Sequence, residues 1–317
     1  MTPEPKGHGV GPGPLHSLAA GHSSRGATRR ERVARGAPPP DRTVWINGEL
    51  LRGEAARVSV FDRGAHDGGG IFETFRVHDG RPFLWERHLE RMVVAAAELG
   101  FPVPPSPATL LEGLGAVLAA NGLANAVARI TVTRGIAGGR PTRTGCWIEC
   151  EPVEGRLWRG TRTGKGAVIL SKRAFSPGVL GPYKTTSRLA YQLAYEEARA
   201  VGADETILLT HQGEVLEGSA SNVFLYIDGQ VATPSHNTGI LPGIMRAFVL
   251  QACYSLGYAL RTSAIWRDEL SIADEVFLTN SVQGLVSIAT VNGRAVKTSG
   301  VAERVRESLA RAIAAGA

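Results

Sequence analysis

The sequence predicts a mixed α/β (α+β) protein with two domains. Three observations point there. The chain has 317 residues, about twice the usual length of one domain. From about residue 42, segments rich in β-branched residues alternate with segments of helical period, the mark of sheets covered by helices. Around residue 160, "GRLWRGTRTGKG" breaks both patterns with glycine and charge and reads as a linker. The expected divisions are a tail over 1–41, a first domain over 42–160 and a second over 161–317.

The tail carries Lys6, Arg25, Arg29, Arg30, Arg32 and Arg35 against Glu4, Glu31 and Asp41, half of the net charge of +6. Rich in Gly, Pro, His and Ser and without a hydrophobic period, it is expected to be disordered and dispensable. Order begins at "TVWINGEL", a strand that turns at Asn47-Gly48. "RVSVFD" is expected to be the next strand, leading into the glycine-rich "DRGAHDGGG". A hairpin follows: "IFETFRV", a turn at Asp79-Gly80, then "RPFLW". Helices are expected from about Glu86 to Leu99 and from Ser106 to Asn121, and "AVARITVTRG" and "TGCWIEC" complete the first region as strands.

The second region opens with the strand "AVILSKR". A helix is expected just after Lys184, burying Leu189, Leu193, Ala194 and Ala198. Strands "ETILLT" and "GEVLEG", the hairpin "SNVFLYIDGQVATP" and a helix from about Pro242 to Leu256 come next. "DEVFLTNS", a "VNG" hairpin and a terminal helix end the chain.

Composition excludes several classes. Hydrophobic residues make up 43% of the chain, ordinary for a globular protein. No apolar run reaches the roughly 18 residues of a membrane span. Without the tail the body is only mildly basic, so no nucleic-acid partner is expected. Cys146, Cys150 and Cys253 form neither a disulfide framework nor a metal motif. They read as reduced core thiols of a cytoplasmic protein.

Four clusters could carry chemistry. Lys184 stands behind a Gly-Pro turn, where burial or a nearby positive field would make its amine nucleophilic. Glu217 enters the small-residue turn "GSAS", open to a flat heterocycle. Gly243-Ile244-Met245 opens a helix whose first N–H groups suit phosphate. Arg91 lies three residues after His88 on one helix face and suits phosphate as well. An exposed lysine, a turn glutamate, a capped helix and a surface arginine paired with Glu90 or Glu98 would look the same singly. "HDGGGIF" lacks the Walker lysine and the Rossmann spacing, so its glycines are expected to lie against something flat.

In order and spacing together, "FDRGAHDGGGIFETFRV", "HLERM", "YKTTS", "EGSASNVF", "TGILPGIMR" and "DEVFLTNSV" resemble the class IV, or fold type IV, pyridoxal-phosphate enzymes. These include branched-chain and D-amino-acid aminotransferases and aminodeoxychorismate lyases. The resemblance spans about Val44 to Val296 and implies an N-terminal α/β sandwich, a C-terminal pseudo-barrel with helices, and pyridoxal 5′-phosphate as cofactor. It implies that Lys184 is the Schiff-base lysine and proton shuttle and that Glu217 is the partner of the pyridine nitrogen. Arg91, the backbone of Ile244 and Met245, and Ser281 would hold the phosphate. Phe72, Arg140 and Arg143 would face an amino-acid-like substrate. It implies a homodimer with loops of one chain closing over the other's site.

The chain also departs from these relatives. Met245 stands where many aminotransferases have threonine. Leu189 stands where branched-chain aminotransferases have tyrosine. Phe72 replaces the tyrosine of D-amino-acid aminotransferases, and Arg140 is displaced by one position from their carboxylate-binding arginine. "GIMR", "TNSV" and "FETFRV" with "PFLWERHLERM" are most similar to aminodeoxychorismate lyases. The resemblance therefore implies a 4-amino-4-deoxychorismate lyase that releases p-aminobenzoate and pyruvate, or a branched-chain or D-amino-acid aminotransferase, and remotely a cofactor-binding protein without turnover.

Overall fold

Four tight hairpins organise the strands, each turning on an Asn-Gly or Asp-Gly pair. In the computed structural model, which describes residues 41–136, 145–158 and 165–316, Asn47, Asp79, Asp228 and Asn292 take φ of 52°, 47°, 50° and 49°, and the glycine after each is also at positive φ. Two left-handed residues in succession match the twist of the flanking strands, so two residues suffice to reverse the chain. Residues 1–40 of the expected tail, residues 159–164 of the expected linker, Arg140 and Arg143 lie outside the described residues.

The first sheet is built from β1 (Thr43–Ile46), β2 (Glu49–Arg52), β3 (Gly70–His78), β4 (Arg81–Pro82), β5 (Ala126–Thr133) and β6 (Cys146–Pro152), in the order β2-β1-β6-β5-β3-β4. All neighbours are antiparallel. A short α1 (Arg63–His66) precedes β3. α2 (Trp85–Glu98) and α3 (Pro107–Ala120) pack on the sheet through Leu89, Met92, Leu110 and Leu114 against Phe75, Ile130 and Ile148. Ser106 caps α3 by accepting from the Thr109 N–H, as its position before the apolar period foretells. Cys146, Cys150 and Cys253 are buried free thiols.

The second sheet contains β7 (Gly166–Leu170), β8 (Glu205–Leu209), β9 (Val215–Gly218), β10 (Asn222–Ile227), β11 (Gln230–Pro234), β12 (Ala259–Ser263), β13 (Glu275–Asn280), β14 (Gly284–Val291) and β15 (Arg294–Ala295). Its order is β12-β11-β10-β13-β14-β7-β8-β9, with β15 beside β14. The far end curls back. The Gly218 N–H donates to the Ser221 carbonyl at 2.6 Å, and Glu214 bridges Trp266. α4 (Leu189–Ala200), α5 (Ile244–Ser255), α6 (Glu269–Ile272) and α7 (Val301–Ala314) cover it. No helix among the described residues is long and apolar enough to cross a membrane.

Two expectations fail. "RVSVFD" forms no strand: Val58, Val60 and Phe61 are exposed, and the segment's one bridge joins Asp62 to Ile136. Alternating valines make a strand only where another strand can pair with them. The helix expected right after Lys184 starts five residues later, at Leu189. Leu189 and Leu193 are exposed, while Ala194 and Ala198 are buried. The intervening hydroxyls of Thr186 and Ser187 bond to the Gly68 carbonyl instead of starting a helix.

Candidate active site

Lys184 is carried on an extended segment docked along β3. The Phe72 N–H donates to the Lys184 carbonyl at 2.8 Å and the Thr186 N–H to the Gly70 carbonyl at 2.8 Å. The Thr186 and Ser187 hydroxyls donate to the Gly68 carbonyl at 2.9 and 3.1 Å. A Cβ at Gly70 would meet the Thr186 side chain at 2.8 Å. The glycines of "HDGGG" thus lie against the lysine's own segment, not against a flat ligand. This double clasp fixes the lysine backbone without a helix.

Lys184, Glu217, Arg91, Ile244, Met245, Ser281 and Phe72 all line one cleft. Its lysine amine lies 4.8 Å from the Phe72 ring centroid. Burial, then the charges of Arg188 and Arg91, lowers the amine to about 7. A helix dipole is not the cause, since α4 starts five residues on. Burial raises the Glu217 carboxyl to about 7 against the pull of Arg188 and the Leu241 N–H. That N–H donates to Glu217 Oε2 at 3.2 Å, and the Tyr191 hydroxyl to Oε1 at 3.3 Å.

Arg91 is held rather than free. Its Nε and Nη2 donate to the two oxygens of Glu73 at 2.8 and 2.7 Å, and its Nη1 donates to the Pro242 carbonyl at 2.9 Å. Glu73 is fully enclosed; burial pushes its carboxyl up, but Arg91 and His88 outweigh that and hold it at about 2. Burial lowers His88 below the ordinary histidine value. A neutral His88 therefore donates Nδ1–H to Glu73 across 2.7 Å. The arginine's partner is Glu73, on the sheet, and neither of the helix neighbours Glu90 and Glu98.

Pro242 leads into the start of α5. Gly243 is its N-cap, with no side-chain cap, so the first-turn N–H groups from Ile244 onward have no intrahelical acceptor. A Cβ at Gly243 would collide with Asn222 Oδ1, so only glycine lets the turn close. Met245 is buried against Phe83 and Leu309. Nearby on the cleft wall, Thr279 presents a buried hydroxyl with no hydrogen-bond partner.

A scan against family models matches residues 70–291 to the class IV amino-transferase family. The chain belongs to the class IV aminotransferase family. It is 32% identical over 262 residues to the aminodeoxychorismate lyase of Bacillus subtilis, covering 78% of this chain and 86% of that one. The crystal structure of the branched-chain amino acid aminotransferase of Escherichia coli superposes with a TM-score of 0.77 at 27% identity, covering 86% of this chain and 94% of that one. The branched-chain aminotransferase from Thermoproteus uzoniensis with norvaline gives 0.74 at 27%, over 85% and 94%. A further branched-chain amino acid aminotransferase, solved with pyridoxamine 5′-phosphate, gives 0.77 at 27%, over 87% and 95%. The two-sheet architecture is that of fold type IV, and this class IV chain is an enzyme whose cofactor is pyridoxal 5′-phosphate.

The sequence reading missed several residues of this class IV cleft. Arg129 on β5 lies 3.8 Å over the Phe72 ring and lines the cleft beside Arg188. Arg188 donates to the Ser219 carbonyl and stacks 4.1 Å from the Tyr191 ring. Glu205 is buried behind the "GSAS" turn, accepting from the Ala220 N–H at 3.1 Å, the Ser221 hydroxyl at 3.1 Å and the Ser219 hydroxyl. For Arg129 a signal existed: it is the one charge inside the otherwise uncharged stretch "AVARITVT".

Proposed function

We propose that this class IV enzyme binds its pyridoxal 5′-phosphate in the cleft and acts on a dicarboxylic amino substrate, with 4-amino-4-deoxychorismate as the first candidate. The cofactor fits the residues present. The orphaned Thr279 hydroxyl and the uncapped start of α5 face one wall, and Arg91 is tied to that wall through Pro242. Ile244 and Met245 would hold the phosphate through backbone N–H, with Arg91, Ser281 and Thr279 beside them. The Met245 side chain takes no part, because it packs into the apolar cluster.

When bound, pyridoxal phosphate supplies an aldehyde for the substrate amine and a ring that accepts electrons. Lys184, lowered to about 7, is neutral often enough to take a proton from the amine-bearing carbon. Glu217, raised to about 7 and oriented by Tyr191 and Leu241, would share a proton with the ring nitrogen. In the lyase reading, loss of that carbon's proton and of the C–O bond on the neighbouring carbon would make the substrate ring aromatic, and the departing enolpyruvate would take a proton back at its methylene to become pyruvate.

The pairing of Arg129 with Arg188 in the cleft carries the substrate class. Arg129, whose Nε lies 3.7 Å from Glu149, and Arg188 together give the cleft positive charge that suits a substrate with two carboxylates, as 4-amino-4-deoxychorismate has. Gln192 on the same lining suits a branched aliphatic side chain poorly, while the Gln283 amide is taken up by the Trp158 N–H and the Arg156 carbonyl. A second reading rests on the same arginines: a transaminase using a dicarboxylic amino donor. Assays for pyruvate from 4-amino-4-deoxychorismate, and for oxo acids from glutamate, leucine and D-alanine, decide between them. Pyruvate release that disappears in Lys184→Ala supports the lyase. Oxo acid without pyruvate reassigns the enzyme as an aminotransferase. Borohydride treatment is expected to fix the cofactor to the peptide carrying Lys184.

We further propose a homodimer in the cytoplasm, with residues 42–160 and 161–317 as its two domains.

A further inference from the structure

One face of β3 runs from the cleft into a second cavity. Phe72 and Thr74 line the cleft, whereas Arg76 and His78 line the second cavity. The turn Ser281–Gln283 is the wall between them, since its residues line both.

Arg76 is 5% exposed. Its Nη1 donates to the Val282 carbonyl at 3.3 Å, and its buried Nε has no partner. It makes no ion pair with any described residue. Arg306 of α7 lines the same cavity. Its Nη1 pairs with Glu303 and its Nη2 donates to the Ser287 hydroxyl at 3.1 Å, but its Nε is likewise buried without a partner. A buried guanidinium without a counter-charge is unfavourable. Arg76 is such a group, and the unpartnered Nε of Arg306 beside it on the same cavity adds a second donor, so an anion is favoured there. The remaining walls are apolar, formed by Phe83, Leu285, Leu309 and Ile313. The cavity measures about 330 Å³, within the range of small-molecule sites.

We propose that this cavity is a second binding site, separate from the cleft, for a small carboxylate with an apolar body. The carboxylate meets Arg76 and Arg306, and the hydrocarbon rests on the side of Phe83 and Leu309. The site is defined without reference to the reaction proposed above, so its test reads binding and not turnover.

The experiment is calorimetric titration of benzoate and of hexanoate into the cofactor-loaded enzyme, with benzamide and hexanamide as uncharged controls. The wild type is expected to bind the acids and not the amides. Arg306→Gln and Arg76→Gln are each expected to weaken binding by roughly tenfold to a hundredfold, the usual loss for one hydrogen bond to a charged group. Arg129→Gln, in the cleft, is expected to retain this binding event. Arg306 is only partly buried, so its variant keeps the test decisive if Arg76→Gln fails to fold. Absence of binding in the wild type overturns the proposal. So does undiminished binding in Arg306→Gln, and so does binding lost only in Arg129→Gln, which would locate the acids in the cleft.

Discussion

Lys184 and Glu217 are drawn toward the same value from opposite sides, about 7 each, and both shifts begin with burial. Each residue is therefore held against its own preferred charge, and the cofactor-free protein is less stable for it. The signs follow from which state binds more protons. For Lys184, with a folded value below the unfolded 10.5, the cost is full below about pH 7 and fades as pH rises to 10.5. For Glu217, with a folded value above the unfolded 4.5, the cost is absent below 4.5 and full above about 7. Lys184→Met is thus expected to raise the melting temperature of the cofactor-free protein most at pH 6 and hardly at all at pH 10. Glu217→Gln is expected to raise it at pH 8 and not at pH 4. Melting curves across that range check both, and a pH-independent change in either variant contradicts the assignment. In the loaded enzyme Glu217→Gln is expected to keep the cofactor and slow turnover greatly, since an amide does not favour a protonated ring nitrogen. Stability given up at reacting groups is a general cost of catalytic sites.

Besides their apolar contacts, strand β3 and helix α2 are joined by one buried ion pair, and that pair sets the angle of Arg91. Glu73→Gln removes the carboxylate that binds Arg91 through two nitrogens. Breaking a buried pair from one side costs about 3–5 kcal/mol, and the low end is expected because Arg91 keeps 15% side-chain exposure. The variant is also expected to lose cofactor on dialysis about as readily as Arg91→Ala. The double variant should be little worse than Arg91→Ala alone, because the two residues act as a unit. Bound cofactor, read by absorbance after dialysis, checks this, and additive losses would mean that Glu73 does not act through Arg91. Elements of this kind were legible in the sequence where the determinant is local. The Asn-Gly and Asp-Gly turns, the start of α3 at Ser106 and the apolar period of α2 all lie within a few residues of what they specify. The Glu73 pairing was not legible, because its partner is 18 residues away on another element. The same holds for Glu205, which reaches residues 14 to 16 positions on, and for Thr279, whose orphaned hydroxyl appears only once the cleft has closed around it.

At the scale of the whole molecule, the segment misread as a strand marks a surface with no partner in the described chain. Val58, Val60 and Phe61 are 43%, 73% and 71% exposed, and Ile136, bridged to Asp62, is 49% exposed. The alternation that suggested a strand at "RVSVFD" is an apolar surface pattern, and one chain's sequence does not say which molecule covers it. Adjacent exposed apolar side chains of this size usually mark a contact site. The segment is also tied to the cleft. Asp62 accepts from the Thr133 hydroxyl at 2.8 Å, and Thr133 ends the strand that carries Arg129. A second copy seated here by a two-fold axis would bury both copies' apolar segments at once and brace β5 on each side. The Val60→Asp, Phe61→Asp double variant is therefore expected to weaken a wild-type dimer by at least tenfold in dissociation constant, since two desolvated carboxylates would oppose the contact. Neither side chain belongs to the core, so the monomer is expected to stay folded by circular dichroism. Turnover per chain is expected to fall as the protein is diluted, in the variant at higher concentration than in the wild type. Light scattering and activity over a dilution series check this together. A wild type that is monomeric and fully active at every concentration rules the dimer out, and a variant that dimerises like the wild type places the interface on another face.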